Sequence, residues 1–285
     1  MLTKFFKFKC IVLTLVLSGC SSIFYHPTKE LVIAPSDLNL EYHEHIIENG
    51  AIRLHGWHLP AAKKDTELDF PPVLFLHGNA QNISNHLPSV AWLPPLGFEV
   101  YLFDYQGYGL SSGSPSPAAV TKDVEQMINY IDAHRSECII LFGQSLGATL
   151  ALFAASNQET KEKLCLVVAE SPFADYHLIV REKLSQFWIT YPFIPLTSLL
   201  INNNYSPLPV VKDISPIPIL LIHSKADPIV PTTHSQALFS AAEQPKELWL
   251  LEDVPHIMAF SNRKLQQRFV DFVKTNVIPQ IQEIN

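Results

Sequence analysis

The stretch that most constrains this chain is Gly143-Gln144-Ser145-Leu146-Gly147. The apolar run Cys138-Ile139-Ile140-Leu141-Phe142 feeds straight into it, and the small residues Ala148, Ala151, Ala154 and Ala155 follow. That order predicts a strand, a sharp turn, and a helix lying close against a sheet. In a G-x-S-x-G turn the serine stands at the apex of a strained strand-to-helix junction. The flanking glycines let backbones pass where a Cβ would clash. Ser145 is thereby expected at the carboxyl end of a central parallel strand. A helix starting near Leu146 aims its free N–H groups and positive dipole end at charge forming beside the serine, so Leu146 N–H is a candidate oxyanion donor.

The rest of the chain supplies strands and helices in alternation. Expected strands are His43–Ile47 and Ala51–Leu59, joined by a hairpin at Asn49-Gly50, then Val73–Leu76, Phe98–Phe103, Leu164–Ala169, Ile217–Ile222 and Glu247–Leu251. Between them, Val120, Val124, Met127, Ile128 and Ile131 mark one face of a helix over Ala119–His134, and a last helix spans about Phe260 to Ile278. Such alternation gives an α/β fold with a mostly parallel central sheet and helices on both faces. His43 and His45 share a strand face, yet no third ligand follows at a metal-binding spacing; they read as solvated strand residues.

A serine is a weak nucleophile at neutral pH and needs a base, which in turn needs a group that holds its tautomer. Asp227 lies on the loop after the strand ending near His223, within Asp227-Pro228-Ile229-Val230-Pro231, and His256 lies on the loop after the next strand. Glu170 and Asp175 are rival acids, following another strand. His234 is a rival base, but it begins a helical pattern before the last strand.

The order Ser145, Asp227, His256 resembles that of the α/β-hydrolases, and the likeness covers about residues 43–276. It rests on the elbow, the acid loop, the loop His77-Gly78-Asn79-Ala80, and the loop Asp104-Tyr105-Gln106-Gly107-Tyr108-Gly109. The chain is most similar to the single-domain H-G-N branch, which includes esterases and depalmitoylating thioesterases. The resemblance implies an α/β-hydrolase fold with a small helical cap. It also implies that Asn79 N–H, or less readily Ala80 N–H, joins Leu146 N–H as the second oxyanion donor. Two departures stand out: Pro255 precedes His256 where glycine or serine is frequent, and Gln106 replaces a common arginine.

The first residues carry Lys4, Lys7 and Lys9, an apolar run from Ile11 to Leu17, and then Leu17-Ser18-Gly19-Cys20. The run is short of the ~20 apolar residues a membrane span needs. This leader resembles a bacterial lipoprotein signal, which implies removal of residues 1–19 and lipidation of Cys20. Ser21 and Ser22 contain no aspartate, so the resemblance implies outer-membrane sorting in a Gram-negative host. Residues 20–40, with Pro27 and Pro35 and no clear period, read as a tether that lifts a hydrolase domain, residues 41–285, off the membrane. Cys138 and Cys165 each fall early in an expected strand, free or, if those strands are neighbours, paired. With 20 basic against 27 acidic residues and a net charge of −7, the chain lacks the clustered cations that nucleic acid requires.

One segment interrupts the alternation. Residues 172–215 hold Phe187, Trp188, Tyr191 and Phe193 among several prolines, and read as a cap insertion whose aromatic side chains line a substrate pocket above Ser145. The combined expectation is a membrane-tethered serine hydrolase for esters or thioesters of an apolar acyl group. Its substrate is a small molecule, its membrane link is lipidated Cys20, and no metal or organic cofactor is called for. A non-catalytic envelope lipoprotein and a serine peptidase are the alternatives.

Overall fold

The computed structural model describes residues 25–62, 69–135, 138–186, 188–195, 201–279 and 281. The leader, Cys20, Phe187 and the Phe193 side chain lie outside what is described. Eight strands form one sheet: β1 (His43–Asn49), β2 (Ile52–Leu59), β3 (Val73–Leu76), β4 (Val100–Phe103), β5 (Ile139–Gln144), β6 (Leu164–Glu170), β7 (Ile219–Ser224) and β8 (Lys246–Leu251). Their order is β8-β7-β6-β5-β3-β4-β2-β1. The strands from β8 to β4 pair in parallel, and β2 is antiparallel to both of its neighbours. Gly50, at φ +60, makes the expected hairpin turn between β1 and β2.

Helices α1 (Pro117–Asp132), α2 (Leu146–Ala155), α3 (Tyr176–Ser185), α4 (Thr233–Ala241) and α5 (Arg263–Asn276) connect and cover the sheet. The sheet divides the core by strand alternation. On β5, Ile139 and Leu141 join the cluster that receives Val120, Val124 and Met127 of α1. Ile140 and Phe142 join the cluster on the other face with Phe269 and Val273 of α5. Burial on both faces explains why β3, β5 and β6 are continuous apolar runs rather than alternating ones. Cys138 and Cys165 form a disulfide with Cα atoms 5.5 Å apart, bridging the starts of the adjacent strands β5 and β6.

Residues 25–40 are not a free tether. Tyr25 is buried, and His26–Pro27 pairs in parallel with Ala80–Gln81. Asn82 Nδ2 donates to the Thr28 and Glu30 carbonyls at 3.2 and 2.7 Å, Val32 N–H donates to Ser84 Oγ at 2.9 Å, and Lys29 Nζ donates to the Ser111 carbonyl at 2.7 Å. Leu31 and Ile33 pack on the core. The prolines that suggested a tether fit a segment held through its carbonyls and tertiary contacts, with no helix or long strand to give a period.

Candidate active site

The strand-turn-helix at Ser145 is as tight as the sequence requires. Ser145 has φ 54° and ψ −114°, a conformation that side-chain-bearing residues rarely adopt. A Cβ on Gly143 would lie 2.2 Å from the Gly147 carbonyl oxygen, and one on Gly147 would lie 2.0 Å from the Leu76 carbonyl oxygen. Neither position accepts even alanine without moving backbone. β5 thus delivers Ser145 at its carboxyl end, and α2 begins at Leu146.

Asp227 and His256 stand on the loops after β7 and β8. His256 Nδ1 donates to Asp227 Oδ2 at 2.7 Å, and Asp227 Oδ1 accepts from the Ile229 and Val230 N–H groups at 2.8 and 3.0 Å. His223 Nε2 lies 3.5 Å from Asp227 Oδ2. Burial pushes the Asp227 pKa up, but His223, His256 and Val230 N–H outweigh it and hold the carboxyl well below the ordinary range. Asp227 is therefore ionised at neutral pH and fixes which nitrogen of His256 carries the proton.

Two buried side chains tie this pair to the serine. Gln144 Nε2, one residue before Ser145, donates to the Ile257 carbonyl at 3.1 Å, one residue after His256, and to Glu170 Oε2 at 2.7 Å. Glu170 Oε1 accepts from Ala259 N–H at 2.8 Å. Ile257 has φ 54°, strained for a β-branched residue, and this clamp holds it. The sequence offered no signal for Gln144, the unrestricted position of the elbow. Glu170 was visible only as a carboxyl group ending an apolar strand.

The rival residues have other employment. Glu170 serves the histidine loop through Ala259. Asp175 caps α3 by accepting from Leu178 N–H at 2.8 Å, and also accepts from Asn203 Nδ2 at 2.6 Å. His234 Nδ1 accepts from Ala174 N–H at 3.0 Å while its Nε2 donates to Glu182 Oε2 at 2.8 Å.

On the other side of Ser145, the His77-Gly78-Asn79 loop is braced from below. Tyr105 and Tyr108 donate to the His77 and Asn79 carbonyls at 3.0 and 2.8 Å, and Ile83 N–H donates to Asp104 Oδ1 at 2.9 Å. His77 is fully buried and neutral, its pKa driven well down by desolvation, with Nδ1 donating to the Gly78 carbonyl at 2.8 Å. Burial pushes Asp104 up to about 7. Gln106 is held by Asp123: its N–H and Nε2 donate to that carboxylate at 2.8 and 2.7 Å.

A cavity of about 250 Å³ opens at Ser145, Asn79 and Leu146. Its wall is Phe173, Ile179, Val180, Leu184, Ile229 and Val230, with Lys183 the one charged side chain among the described lining residues. Trp188 and Tyr191 are not brought to this cavity; they are 80% and 54% exposed, on the turn that follows α3. The correction has a physical cause. The inward face of α3 presents the aliphatic pair Ile179 and Val180 to the cavity at the serine, and the aromatic turn that follows stays exposed.

The sequence description "Serine aminopeptidase, S33" of the Hydrolase_4 family matches residues 71–214. The protein YfhR of Escherichia coli O157:H7 is 36% identical over 266 residues, covering 91% of this chain and 89% of its own. The chain belongs to the Hydrolase_4 family. Membership makes it an α/β hydrolase, in keeping with the sheet order and the elbow. The α/β hydrolase domain-containing protein WAV2 of Arabidopsis thaliana is 25% identical over 75% of this chain and 71% of its own. Among solved structures, the Pyrococcus furiosus esterase Pf2001 superposes with a TM-score of 0.67 at 22% identity, over 89% of this chain and 98% of that one. That likeness is one of fold.

Proposed function

We propose that the chain is a membrane-tethered serine hydrolase cleaving carboxylic esters or thioesters of an apolar acyl group. Ser145 Oγ attacks the acyl carbonyl, and His256 Nε2 takes the serine proton and returns it to the leaving alcohol or thiol. Asp227 holds the imidazole and stabilises its charged form. The Asn79 and Leu146 N–H groups, at the floor of the cavity, stabilise the tetrahedral oxyanion, and water then releases the acyl group by the same route. The observation that carries this reading is the 2.7 Å bond from His256 to Asp227, tied by Gln144 to an elbow serine that opens into an apolar cavity.

The lining of the cavity supports acyl ester over peptide chemistry. An aminopeptidase must hold the α-ammonium of its substrate, which calls for a carboxylate or a cluster of acceptors. The described lining offers no acidic side chain and one lysine. The leader ending in Leu17-Ser18-Gly19-Cys20 supports a lipid anchor in the cell envelope, on the outer membrane in a Gram-negative host. The Cys138–Cys165 bridge fits an oxidising compartment.

The test is fluorophosphonate labelling of the wild type and Ser145→Ala, followed by turnover of ester and thioester series. Labelling lost with Ser145, and turnover down by several orders of magnitude, is the expected result. A wild-type protein that neither labels nor turns over any ester leaves the fold as a binding module. Hydrolysis confined to amino-terminal peptide bonds makes it a peptidase.

A further inference from the structure

The short path from Cys20 to the packed segment limits how far a lipid anchor at Cys20 can sit from the domain. Tyr25, the first described residue, is buried, and His26 N–H donates to the Asn79 carbonyl at 2.9 Å, on the oxyanion loop itself. Five residues lie between Cys20 and His26, six steps along the chain, and a fully extended chain covers at most about 3.6 Å per step. A lipid on Cys20 therefore holds Asn79 within roughly 20 Å of the bilayer surface. That keeps the loop at which the cavity opens close to the leaflet in which such an anchor sits.

The apolar side chains exposed on the segments that border the cavity suit that neighbour. Trp188 is 80% exposed, Ile189 64%, Tyr191 54%, Met258 46% and Ile229 45%. Trp188, Ile189 and Tyr191 follow directly on α3, the cavity wall, where Thr190 Oγ1 donates to the Leu184 carbonyl. Ile229 itself lines the cavity, and Met258 is two residues from His256. From Leu184 to Val211 the sequence contains no Asp, Glu, Lys, Arg or His. Exposed apolar side chains grouped this way mark an interaction surface, and tryptophan and tyrosine among aliphatics suit the membrane–water interface better than water.

We propose that Trp188, Ile189, Tyr191, Ile229 and Met258 form a docking surface for the bilayer that holds the Cys20 anchor, so that the cavity draws its acyl substrate from the lipid phase. The proposal rests on the reading of Cys20 as lipidated, and it narrows the substrate class to membrane-resident acyl esters or thioesters. It also gives the aromatic turn a role in delivering substrate rather than in lining the cavity.

The experiment uses the full, processed chain in vesicles of phosphatidylethanolamine and phosphatidylglycerol, with nitroxides on Ile189→Cys, Met258→Cys and, as a control before β8, Glu243→Cys. Labels at the first two positions should relax with membrane-dissolved oxygen and be shielded from a water-soluble nickel chelate, and the Glu243 label should do the reverse. In parallel, a Trp188→Ala/Ile189→Ser double variant should lose about tenfold in kcat/KM on a vesicle-embedded long-chain ester and keep its turnover of soluble p-nitrophenyl acetate. Mass spectrometry of the amino-terminal peptide reports the lipid. Lipidated protein whose labels at 189 and 258 are as open to nickel as the label at 243 overturns the docking alone. Equal loss on both substrates overturns it too. An unlipidated Cys20 overturns the anchor, and the docking falls with it.

Discussion

Glu170→Gln should cripple turnover without touching the substrate cavity. The Glu170 carboxyl is 2% exposed and accepts two hydrogen bonds, from Gln144 Nε2 at 2.7 Å and from Ala259 N–H at 2.8 Å. A glutamine there replaces one of those acceptors by an NH2 group, which then opposes a donor. If the Gln144 amide turns over to accept from it, the bond to the Ile257 carbonyl is lost instead. Either arrangement gives up one buried hydrogen bond, at about 1–3 kcal/mol. The loss falls on the loop that holds Ile257 at φ 54° beside His256, where relaxation of the strained backbone moves the imidazole away from Ser145. At about 1.4 kcal/mol per factor of ten, kcat should drop by roughly 5- to 150-fold. KM should stay within about twofold, because Glu170 is absent from the cavity wall and the ground-state contacts survive. Steady-state kinetics on a p-nitrophenyl ester, with circular dichroism to verify the fold, reads both numbers. An unchanged kcat, or a loss carried by KM, refutes the positioning argument.

Asp227→Asn should retain the fold and lose about 10⁴-fold in kcat, since an amide no longer favours the productive histidine tautomer; a larger loss in Asp175→Asn would shift the orienting role. On p-nitrophenyl esters of rising chain length, each methylene taken into the cavity should raise kcat/KM by up to about fourfold until the space is filled, and a series highest at acetate would contradict the acyl-pocket reading. Asp104, pushed up to about 7 by burial, keeps a proton in the folded chain that the unfolded chain has already released. Stability should therefore fall as pH rises from about 4 to about 7, and Asp104→Asn should flatten that slope in urea midpoints measured across the window; parallel slopes would mean the group is not protonated.

The parts of the site that sequence made legible are those that local backbone chemistry dictates. Gly143 and Gly147 are required by carbonyl oxygens that would sit 2.2 and 2.0 Å from a Cβ, so the elbow carries its own signature. Asp227 and His256 lie on the loops that follow apolar strands, where an α/β fold places its reactive side chains, and the 2.7 Å bond between them follows from the adjacency of β7 and β8. What stayed illegible depends on packing between distant segments. Which face of α3 looks into the cavity is decided by how the helix settles on the sheet, and Ile179 and Val180, rather than the more conspicuous Trp188, were placed there. The Gln144–Glu170–Ala259 chain joins residues up to 115 positions apart through hydrogen bonds that leave no periodic trace.

The packing of residues 25–40 on the His77-Gly78-Asn79 loop bears on proteolysis near the amino terminus. A protease cutting before Tyr25 would leave every described contact in place. A cut near residue 40 would take with it His26, the partner of the Asn79 carbonyl, and the Thr28 and Glu30 carbonyls that hold Asn82. The folded unit therefore includes residues 25–40, ahead of the boundary at residue 41 that composition suggests, and a recombinant form has to retain them to keep these contacts.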